Sequence, residues 1–400
     1  MEASISVTAA EALIASNIAP WTTEHVPLAR AQGRVLRQDL HADRDQPPFD
    51  RVMMDGIAFA HGDGLSRFRL AGTQLAGQPA MTLAAPHDCL EVMTGAMLPQ
   101  GADTVVPVES LRRDGTFLHV VTDTAPERGQ FVHRQGSDCR AGDLLVPAGR
   151  LLRAPEIAVL ATNGVADVQV TRQPGISVIS TGDELVDVVA APQPWQVRRS
   201  NDYGIAAALR DAHFDDVSLH HVVDDRERVL SLLTQRLAAS DVLVLCGGVS
   251  MGQRDLIPAA LDTLGVRRIF HRITQRPGKP MWFGVSPEGK PVFALPGNPV
   301  SALVCTLRYV IPALRQASGM PPSRVIYVRL AASLRTHASL TCFIPVALTY
   351  DEQGRAMAQP VPSATSGDFA SLARTDGIIE LPPRTDPHPV GHVAPFLSWS

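Results

Sequence analysis

The chain has 400 residues, and its 36 basic and 40 acidic side chains give a formal charge of −4 at pH 7. That length exceeds what one hydrophobic core usually organises, so two to four domains are expected. The charges nearly cancel, and the sequence has no Lys/Arg-rich tract that would follow a nucleic-acid backbone. The composition therefore argues against a nucleic-acid partner.

Cysteine usage and apolar runs indicate the compartment. The 5 cysteines are scattered and form no Cys-x-x-Cys pair, which is typical of reduced packing residues in a cytosolic protein. The N-terminus lacks a cationic segment followed by a long apolar run. No stretch approaches the roughly 18 apolar residues that span a bilayer. We therefore expect a soluble, cytoplasmic protein without a membrane partner.

The first 173 residues alternate between helical and β-like patterns. The spacing of Thr8 and Glu11 predicts a capping box that opens a helix, and an amphipathic segment follows near 27–40. Short runs broken by Gly and Pro, such as "FRLAG" and "CLEVMTG", then predict strands. The helical pattern returns in "RAPEIAVLATNG", where Gly164 is a C-terminal stop signal. A β-rich insertion between two helical segments is the simplest interpretation.

Strands and helices alternate between Pro174 and Gly319. Near-continuous apolar strands such as "ISVIST", "DVLVLCGG" and "PVFALPG" predict a parallel-rich sheet with helices on both faces, which is a three-layer α/β arrangement. Ligands of such sheets bind beyond the carboxyl ends of the strands. After residue 320 the pattern returns to strands, which predicts a small barrel-like β domain.

The expected fold class is therefore multidomain α/β plus β. The predicted domains are a discontinuous helical linker domain (1–45 and 140–173), an inserted β-rich domain (46–139), a central α/β domain (174–319) and a C-terminal β domain (320–400).

Two segments, 241–255 and 291–301, share an apolar run, an abrupt Gly turn and small polar residues. Each predicts a buried strand that leads into an anion pocket, because Gly lets backbone N–H groups approach a ligand. Taken alone, Asp255 is also an ordinary helix N-cap, and so is Asn298 before a proline. The candidate binding residues are Gly247, Gly248, Ser250, Asp255, Pro296, Gly297 and Asn298.

Shorter motifs offer further polar groups. The adjacent acids in Ser180–Glu184 are suited to magnesium that also meets phosphate, although isolated acids usually belong to a solvated loop. Arg276–Lys279 supplies a guanidinium fork and an ammonium for phosphate or another oxyanion. By themselves, Arg199–Asn201 indicates a helix cap, and Met54–Gly56 and Met93–Ala96 have structural explanations.

Taken together and in order, these pieces closely resemble the molybdopterin molybdenumtransferase family, the MoeA proteins related to the E domain of gephyrin. The match runs along nearly the whole chain through "PLARAQGRVL", "MDGIA", "VMTGAMLPQGADTVVPVE", "RQGSDCRAGD", "STGDEL", "RSN", "CGGVSMGQRD", "RPGKPMWFG" and "LPGNPVSA". One such motif is weak evidence, but this many in register are highly specific. The resemblance implies the four-domain fold above, with the α/β domain as the molybdopterin-binding domain.

The resemblance also implies an activity. Members of the family bind adenylylated molybdopterin and molybdate, insert the metal at the dithiolene and release AMP in a step that depends on Mg²⁺. They are homodimers with the active cleft between protomers, so Asp55 and Thr94 would act in trans. Partners implied by this role are the adenylyltransferase of the preceding step and apo-molybdoenzymes.

Motif positions assign roles to individual residues. Glu184 and Asp255 are expected to organise magnesium and the pyrophosphate, while Lys279 and Ser250 hold anionic groups. Asp55, Thr94, Glu184, Asp255 and Lys279 are thus the expected catalytic set. The expected substrate-binding set comprises Asp138, Ser200, Asn201, Gly247, Gly248, Ser250, Arg276, Pro296, Gly297 and Asn298. The sequence leaves open whether water or molybdate attacks phosphorus, and whether molybdate or tungstate is preferred.

Departures from the family pattern leave alternatives open. Arg276 replaces a frequent Lys, which keeps the charge but alters its geometry. Arg199 replaces an Asp of some members, so an acid is lost and a cation is gained near the ligand. Val52 and Ile57 also differ from the residues often found beside the Met-Asp-Gly motif. The alternatives are the preceding adenylyltransferase and a non-catalytic cofactor carrier. The extra β domains argue against the first. Retention of Asp55, Glu184, Asp255 and Lys279 argues against the second.

Overall fold

The computed structural model describes residues 4–62, 64–249, 256–322, 324–361, 368 and 370–399.

The N-terminal residues form one helix and two short strands. Helix α1 (Val7–Ala15) begins after Ser6, whose Oγ accepts the Ala9 N–H at 3.1 Å. Thr8 lies inside this helix, so the predicted Thr8–Glu11 capping box is wrong. Strands β1 (Thr23–Pro27) and β2 (Leu40–His41) follow.

Between these two strands the chain is mostly irregular. A single 3₁₀ turn, Leu28–Arg30, stands where an amphipathic segment was predicted near 27–40. Gly33 has a φ of +76°, and a Cβ there would lie 2.8 Å from Nδ1 of His213. This backbone conformation interrupts a helix, which is why the amphipathic pattern is misleading here.

The β-rich region that follows is a mixed sheet. Six of its strands pair in the order β7-β4-β6-β5-β9-β8, and β3 pairs with β10. Along β4 successive side chains point to opposite sides, so Ala58 joins one apolar cluster while Ile57 and Phe59 join another. The strands are β3 (Arg51–Val52), β4 (Gly56–Phe59), β5 (Arg67–Gln74), β6 (Asp88–Val92), β7 (Thr104–Pro107), β8 (Leu111–Asp114), β9 (Phe117–Val120) and β10 (Val132–His133).

The chain then returns to its N-terminal strands. Strand β11 (Leu144–Val146) pairs with β2, and β12 (Asp167–Thr171) lies antiparallel to β1. Helix α2 (Ala154–Thr162) lies between them, and Gly164 follows it with a φ of +70°. These pairings join the N-terminal segment to the segment that follows the inserted strands, and the two combine helices with paired strands, whereas the sequence predicted a helical linker.

The central sheet has six strands in the order β16-β13-β17-β21-β20-β18. The first four are parallel, and the last two pairings are antiparallel. The strands of this region are β13 (Ile176–Thr181), β14 (Leu185–Val186), β15 (Val197–Arg198), β16 (Val217–Val222), β17 (Val242–Cys246), β18 (Arg267–His271), β19 (Gln275–Arg276), β20 (Trp282–Val285) and β21 (Pro291–Leu295). Its helices are α3 (Asn201–Asp211), α4 (Arg226–Ala239), α5 (Leu256–Thr263), α6 (Pro299–Cys305) and α7 (Ile311–Ala317), with a π-helical turn, Thr306–Val310, between the last two.

Alternating strand residues bury against different helices. Val244 on β17 shares an apolar cluster with Leu209 of α3 and Val304 of α6. The next residue, Leu245, shares another cluster with Leu233 of α4. Because successive strand side chains point to opposite faces, both faces of the sheet are covered, and only its edges and strand ends remain for a ligand.

The C-terminal strands close into a ring, that is, a small five-stranded β-barrel. Five strands pair in the order β23-β24-β22-β26-β25, and β23 also pairs with β25. Strand β19 of the central region joins this sheet at β23, which crosses the domain boundary that the sequence predicts near residue 320. The strands are β22 (Ile326–Leu330), β23 (Thr341–Tyr350), β24 (Ala356–Pro360), β25 (Gly377–Leu381) and β26 (Val393–Ser398), with a 3₁₀ turn at Ala370–Arg374.

Within the described ranges, no helix has both the length and the apolar character that a membrane span requires.

Glu156 at the start of α2 is buried beside two arginines. Its carboxylate accepts hydrogen bonds from Arg150 Nε and Arg153 Nη2, both at 3.0 Å, and from the Arg153 N–H at 3.1 Å. Burial alone would raise the pKa of Glu156, but these donors outweigh it and lower the pKa to about 2. The charged carboxylate therefore stabilises the folded linker.

A carboxyl whose pKa is depressed on folding contributes stability that is complete above its unfolded pKa, about 4.3, and is lost as pH falls further. We expect Glu156→Gln to unfold at a lower urea concentration than wild type at pH 7. The gap should narrow between about pH 4.3 and pH 2. Urea titrations across this range test the expectation, with Glu109→Gln at an exposed position as control. A gap that does not change with pH would contradict it.

Candidate active site

Three parallel strands deliver loops to one edge of the central sheet. The loops after β13, β17 and β21 surround a cavity of about 690 Å³ that Glu184, Gly247 and Gly297 line. Because these strands run parallel, their carboxyl ends lie on the same side, which is where α/β sheets bind ligands. The structure thus brings together eight of the predicted residues: Glu184, Ser200, Asn201, Gly247, Gly248, Pro296, Gly297 and Asn298.

The Gly247–Gly248 turn forms the floor of this cavity. Gly247 has a φ of +99°, and a Cβ there would lie 2.9 Å from both the carbonyl oxygen and Oγ1 of Thr181. Gly248 has a φ of +64°, and its Cβ would lie 2.8 Å from Cγ1 of Ile257. Both positions require glycine for conformation and for space. The bare backbone is thereby exposed to whatever fills the cavity.

Several buried polar atoms around the cavity lack a protein partner. Among the described residues, Oγ of Ser180, Oγ1 of Thr181 and Oδ1 of Asn201 are buried without a hydrogen bond. Buried polar atoms are nearly always satisfied, so unsatisfied ones beside a cavity indicate a polar ligand. Ser180 was not among the predicted binding residues, because nothing in its motif separates it from an ordinary strand residue.

Asn201 connects the loops around the cavity. Its Nδ2 donates to the Gly297 carbonyl at 2.7 Å and to Cys246 Sγ at 3.1 Å, so it ties α3 to the loops after β17 and β21. Burial raises the pKa of the Cys246 thiol to about 12, which keeps it protonated as a packing residue. Asn298 occupies the N-cap position of α6, with Pro299 as its first residue.

Two carboxylates line the same cavity. Glu184 was predicted, whereas Asp224 was not, because the loop after β16 carries no recognisable motif. The Asp224 N–H donates to Oδ1 of Asp183 at 3.0 Å, which fixes this loop beside the Glu184 motif. In the described part of the chain no group of three or more potential metal-ligating side chains converges. Ser250 and Asp255, both predicted site residues, lie outside the described residues.

A second cavity, of about 720 Å³, shares Pro280, Pro296 and Asn298 with the first. Arg276 and Lys279 line it, as does Ser301 of α6, and the C-terminal region contributes further residues that include Arg335, Thr336 and His337. The sequence indicated the first two. It gave no signal for the C-terminal residues, because only tertiary packing brings that loop against the Arg276–Lys279 turn.

Asp55 and Thr94 form a pair on the inserted region. Oδ1 of Asp55 accepts the Thr94 N–H at 2.6 Å and the Thr94 hydroxyl at 2.7 Å. These two donors lower the pKa of Asp55, so this exposed side chain is a carboxylate at neutral pH. The pair is not among the described residues that line either cavity. Asp138 is likewise absent from both linings, and its carboxylate contacts Nε2 of His133 at 2.8 Å.

Arg199 lines the first cavity, and its guanidinium forms two ion pairs with nearby aspartates. Nη2 lies 3.0 Å from Oδ2 of Asp187, and Nη1 lies 3.5 Å from Oδ2 of the buried Asp202. The sequence suggested a cation gained near the ligand. Arg199 does line the cavity, and its guanidinium also holds the 187–202 segment together through these two ion pairs.

Comparisons with known proteins agree with this geometry. Three family models match successive parts of the chain: the MoeA N-terminal region (domains I and II) at 5–164, a probable molybdopterin-binding domain at 177–316, and the MoeA C-terminal region (domain IV) at 327–399. The molybdopterin molybdenumtransferase of Synechocystis sp. is 38% identical over 399 residues, covering 99% of this chain and 100% of that protein. The chain belongs to the molybdopterin molybdenumtransferase family.

Further relatives support the membership. Gephyrin of Dictyostelium discoideum is 31% identical over 338 residues, which are 74% of this chain and 47% of that protein. A crystal structure of a molybdopterin biosynthesis MoeA protein from Pyrococcus horikosii matches with a TM-score of 0.80 and 28% identity, covering 100% of both chains. The multidomain family fold expected from the sequence is therefore confirmed.

The glycine floor can be tested by one added methyl group. We expect Gly248→Ala to weaken inorganic pyrophosphate binding and to lower the melting temperature more than Gly289→Ala does. Both positions have positive φ and share a conformational cost of roughly 1–2 kcal/mol, but no described atom within 4 Å would meet a Cβ at Gly289. Calorimetric titration and thermal melts measure the two effects. Equal effects at both sites would contradict the steric argument.

Proposed function

We propose that this chain inserts molybdenum into molybdopterin, taking molybdate and adenylylated molybdopterin as substrates and releasing AMP with the help of Mg²⁺. The observation that carries the proposal is the wall, formed by Pro280, Pro296 and Asn298, that the two cavities share. Two anionic groups bound on its two sides would be close neighbours. Insertion of the metal requires a pterin derivative and an oxyanion to be bound side by side in this way.

The first cavity suits the phosphoanhydride of the adenylylated pterin. The glycine turn leaves room for phosphate oxygens against the backbone, which is a recurrent way to bind phosphate. The unsatisfied hydroxyls of Ser180 and Thr181 are available as donors to these oxygens. Donors already in place at a phosphoryl group stabilise the charge that develops there in the transition state.

The second cavity suits molybdate. Arg276 and Lys279 enter it from one turn, and Arg335 enters it from the C-terminal region. Three cations offset the charge of a tetrahedral dianion, and the guanidinium groups donate in a planar fork. Arg276 and Lys279 lie on the turn that precedes Pro280, a residue that lines both cavities. Their positive charge is therefore beside the pterin cavity.

Magnesium fits the first cavity by the chemistry of its donors. Mg²⁺ is usually held by one or two carboxylates together with waters and substrate phosphates. Glu184 and Asp224 line this cavity, and the family resemblance adds Asp255. Bound there, the ion would supply charge neutralisation at the phosphate oxygens.

The reaction is a displacement at phosphorus. An oxygen of water or of molybdate forms a new bond to the phosphorus on the pterin side, and the bond from that phosphorus to the bridging oxygen breaks. AMP leaves with the bridging oxygen, and the proton of an attacking water passes to solvent. The chain's own residues hold the phosphate oxygens and keep the oxyanion beside the pterin. Such positioning converts a bimolecular encounter into a reaction within one complex.

Asp55 and Thr94 are proposed to act on a partner chain. The pair is exposed, presents a carboxylate and lines neither described cavity of its own chain. Met53 and Met54 beside it are 49% and 39% exposed, so apolar surface adjoins the carboxylate. A homodimer in which each inserted region faces the partner's α/β cavity would bury the methionines and complete the site.

The transferase activity can be tested with purified components. With adenylylated molybdopterin, Mg²⁺ and molybdate, we expect molybdate-dependent AMP release and reconstitution of a cofactor-free molybdoenzyme. Glu184→Gln should lower the AMP release rate by about 100-fold, because a carboxylate that would hold Mg²⁺ against the phosphate oxygens is lost. Glu352→Gln, at an exposed turn, is the control. Tight substrate binding by wild type without turnover would favour the carrier alternative instead.

The trans arrangement can be tested by mixing two inactive variants. Asp55→Asn and Glu184→Gln each spoil every site in their own homodimer. A mixed dimer regains one intact site only if Asp55 serves the partner's cavity, so random mixing should restore about a quarter of wild-type activity. No recovery after verified subunit exchange would contradict the arrangement, and a fully active monomer in light scattering would exclude it.

A further inference from the structure

A buried glutamine supports, from the core side, the turn that carries Arg276 and Lys279. Gln275 is fully buried, and its Nε2 donates to the Pro277 carbonyl at 3.0 Å, inside the turn itself. Gly278 has a φ of +93°, and a Cβ there would lie only 2.5 Å from the same Nε2. The amide of Gln275 thus fills the space directly beneath the turn and fixes the path of its backbone.

The same glutamine is held by Tyr309. The Tyr309 hydroxyl donates to Oε1 of Gln275, and the ring is 2% exposed. Burial raises the pKa of the Tyr309 hydroxyl, so it remains a protonated donor. With both ends of its amide engaged, Gln275 has one orientation in which donor and acceptor are each satisfied. Tyr309 therefore sets which end of the amide faces the turn.

Tyr309 lies in an unusual segment of backbone. The π-helical turn, Thr306–Val310, interrupts the helix that begins at the Asn298 cap and lines both cavities at its start. Single π-helical turns within α-helices are rare and often lie at functional sites. Here the turn belongs to the helix that links the cavities' shared wall to the residue beneath the Arg276–Lys279 turn.

An ordinary packing role explains only part of this arrangement. A buried tyrosine and glutamine can satisfy each other anywhere in a core. These two, however, converge on the turn that supplies both predicted cations of the second cavity, and Gly278 leaves no room for a side chain to replace the amide. The contact therefore bears on the position of charged groups at a cavity, beyond stabilising the core.

We propose that Tyr309, acting through Gln275, is a positioning residue that sets the Arg276–Lys279 turn for the oxyanion and thereby governs affinity for molybdate separately from affinity for the pterin. This inference rests on the proposed function, because it takes the second cavity as the molybdate site. Tyr309 itself touches no substrate. The turn's cations are on the surface of the cavity, whereas the hydroxyl that orients them is in the core.

The test compares Tyr309→Phe with Thr306→Val. The Thr306 hydroxyl is equally buried in the same π-helical turn but donates to the Ala302 carbonyl of its own helix at 2.8 Å. Molybdate alone and adenylylated molybdopterin alone are titrated calorimetrically, and the KM for molybdate and kcat are measured in the AMP release assay. Melting temperatures report any general loss of stability.

We expect Tyr309→Phe to raise the Kd and KM for molybdate about tenfold while pterin affinity and kcat stay within twofold, the size expected for one lost buried hydrogen bond. Thr306→Val should leave both affinities unchanged. Gln275→Met should lose at least as much molybdate affinity as Tyr309→Phe, because it also removes the contact with Pro277. The double variant should be no worse than Gln275→Met, because Tyr309 acts only through Gln275.

Three outcomes would overturn the inference. The first is wild-type molybdate affinity in Tyr309→Phe. The second is a loss of pterin and molybdate affinity that is the same in Tyr309→Phe as in Thr306→Val. The third is additive losses of molybdate affinity in the double variant. Failure of the proposed function gives a different result, since wild-type protein would then bind no molybdate or show no molybdate-dependent AMP release.

Discussion

The close approach of the Gly247–Gly248 turn to Thr181 is the constraint on which the site depends. The loops after two neighbouring parallel strands lie so close that the turn has no space for a side chain. Backbone groups and buried hydroxyls therefore form the cavity floor, in place of side chains that would fill it. The apolar strands that precede these loops are packed on both faces, which supports the loops from the core.

The second cavity depends on a junction between two parts of the fold. Strand β19 belongs by sequence to the α/β region, yet it pairs with β23 of the C-terminal ring. The turn that follows it is thereby fixed on one side by the ring and from below by Gln275. Arg308, next to Tyr309, ties this junction to α1 and the ring through Glu11 and Glu380, at 3.1 and 2.9 Å. A relative movement of the C-terminal region would change the shape of the cavity that carries most of the positive charge.

The sequence predicted the elements whose signal is local. Near-continuous apolar runs gave the central strands, such as Val242–Cys246, almost residue for residue, because a strand buried on both faces can carry little else. Glycine turns after those strands indicated the cavity floor. The amphipathic pattern near 27–40 failed because Gly33 must fit against His213, a contact between residues far apart in sequence. Local periodicity contains no information about such a contact.

The same distinction applies to the site. Glu184, Asn201 and the glycines follow strands within motifs, and the structure gathers them in one cavity. Only tertiary packing brings Asp224 and Arg335 to the cavities, so no sequence pattern predicts them there. The ion pairs of Arg199 with Asp187 and Asp202 also could not be predicted, since they form only when the loop is folded. The roles of Asp55 and Thr94 depend on a second chain and stay a proposal.

The central claim is that pterin phosphate and oxyanion occupy two adjoining cavities with a common wall. A crystal structure with adenylylated molybdopterin and tungstate, whose anomalous scattering locates it directly, tests this claim. The account predicts phosphate density against Gly247 and Gly248, and one tungsten peak between Arg276, Lys279 and Arg335. Tungsten bound in the first cavity, or phosphate bound in the second, would contradict it.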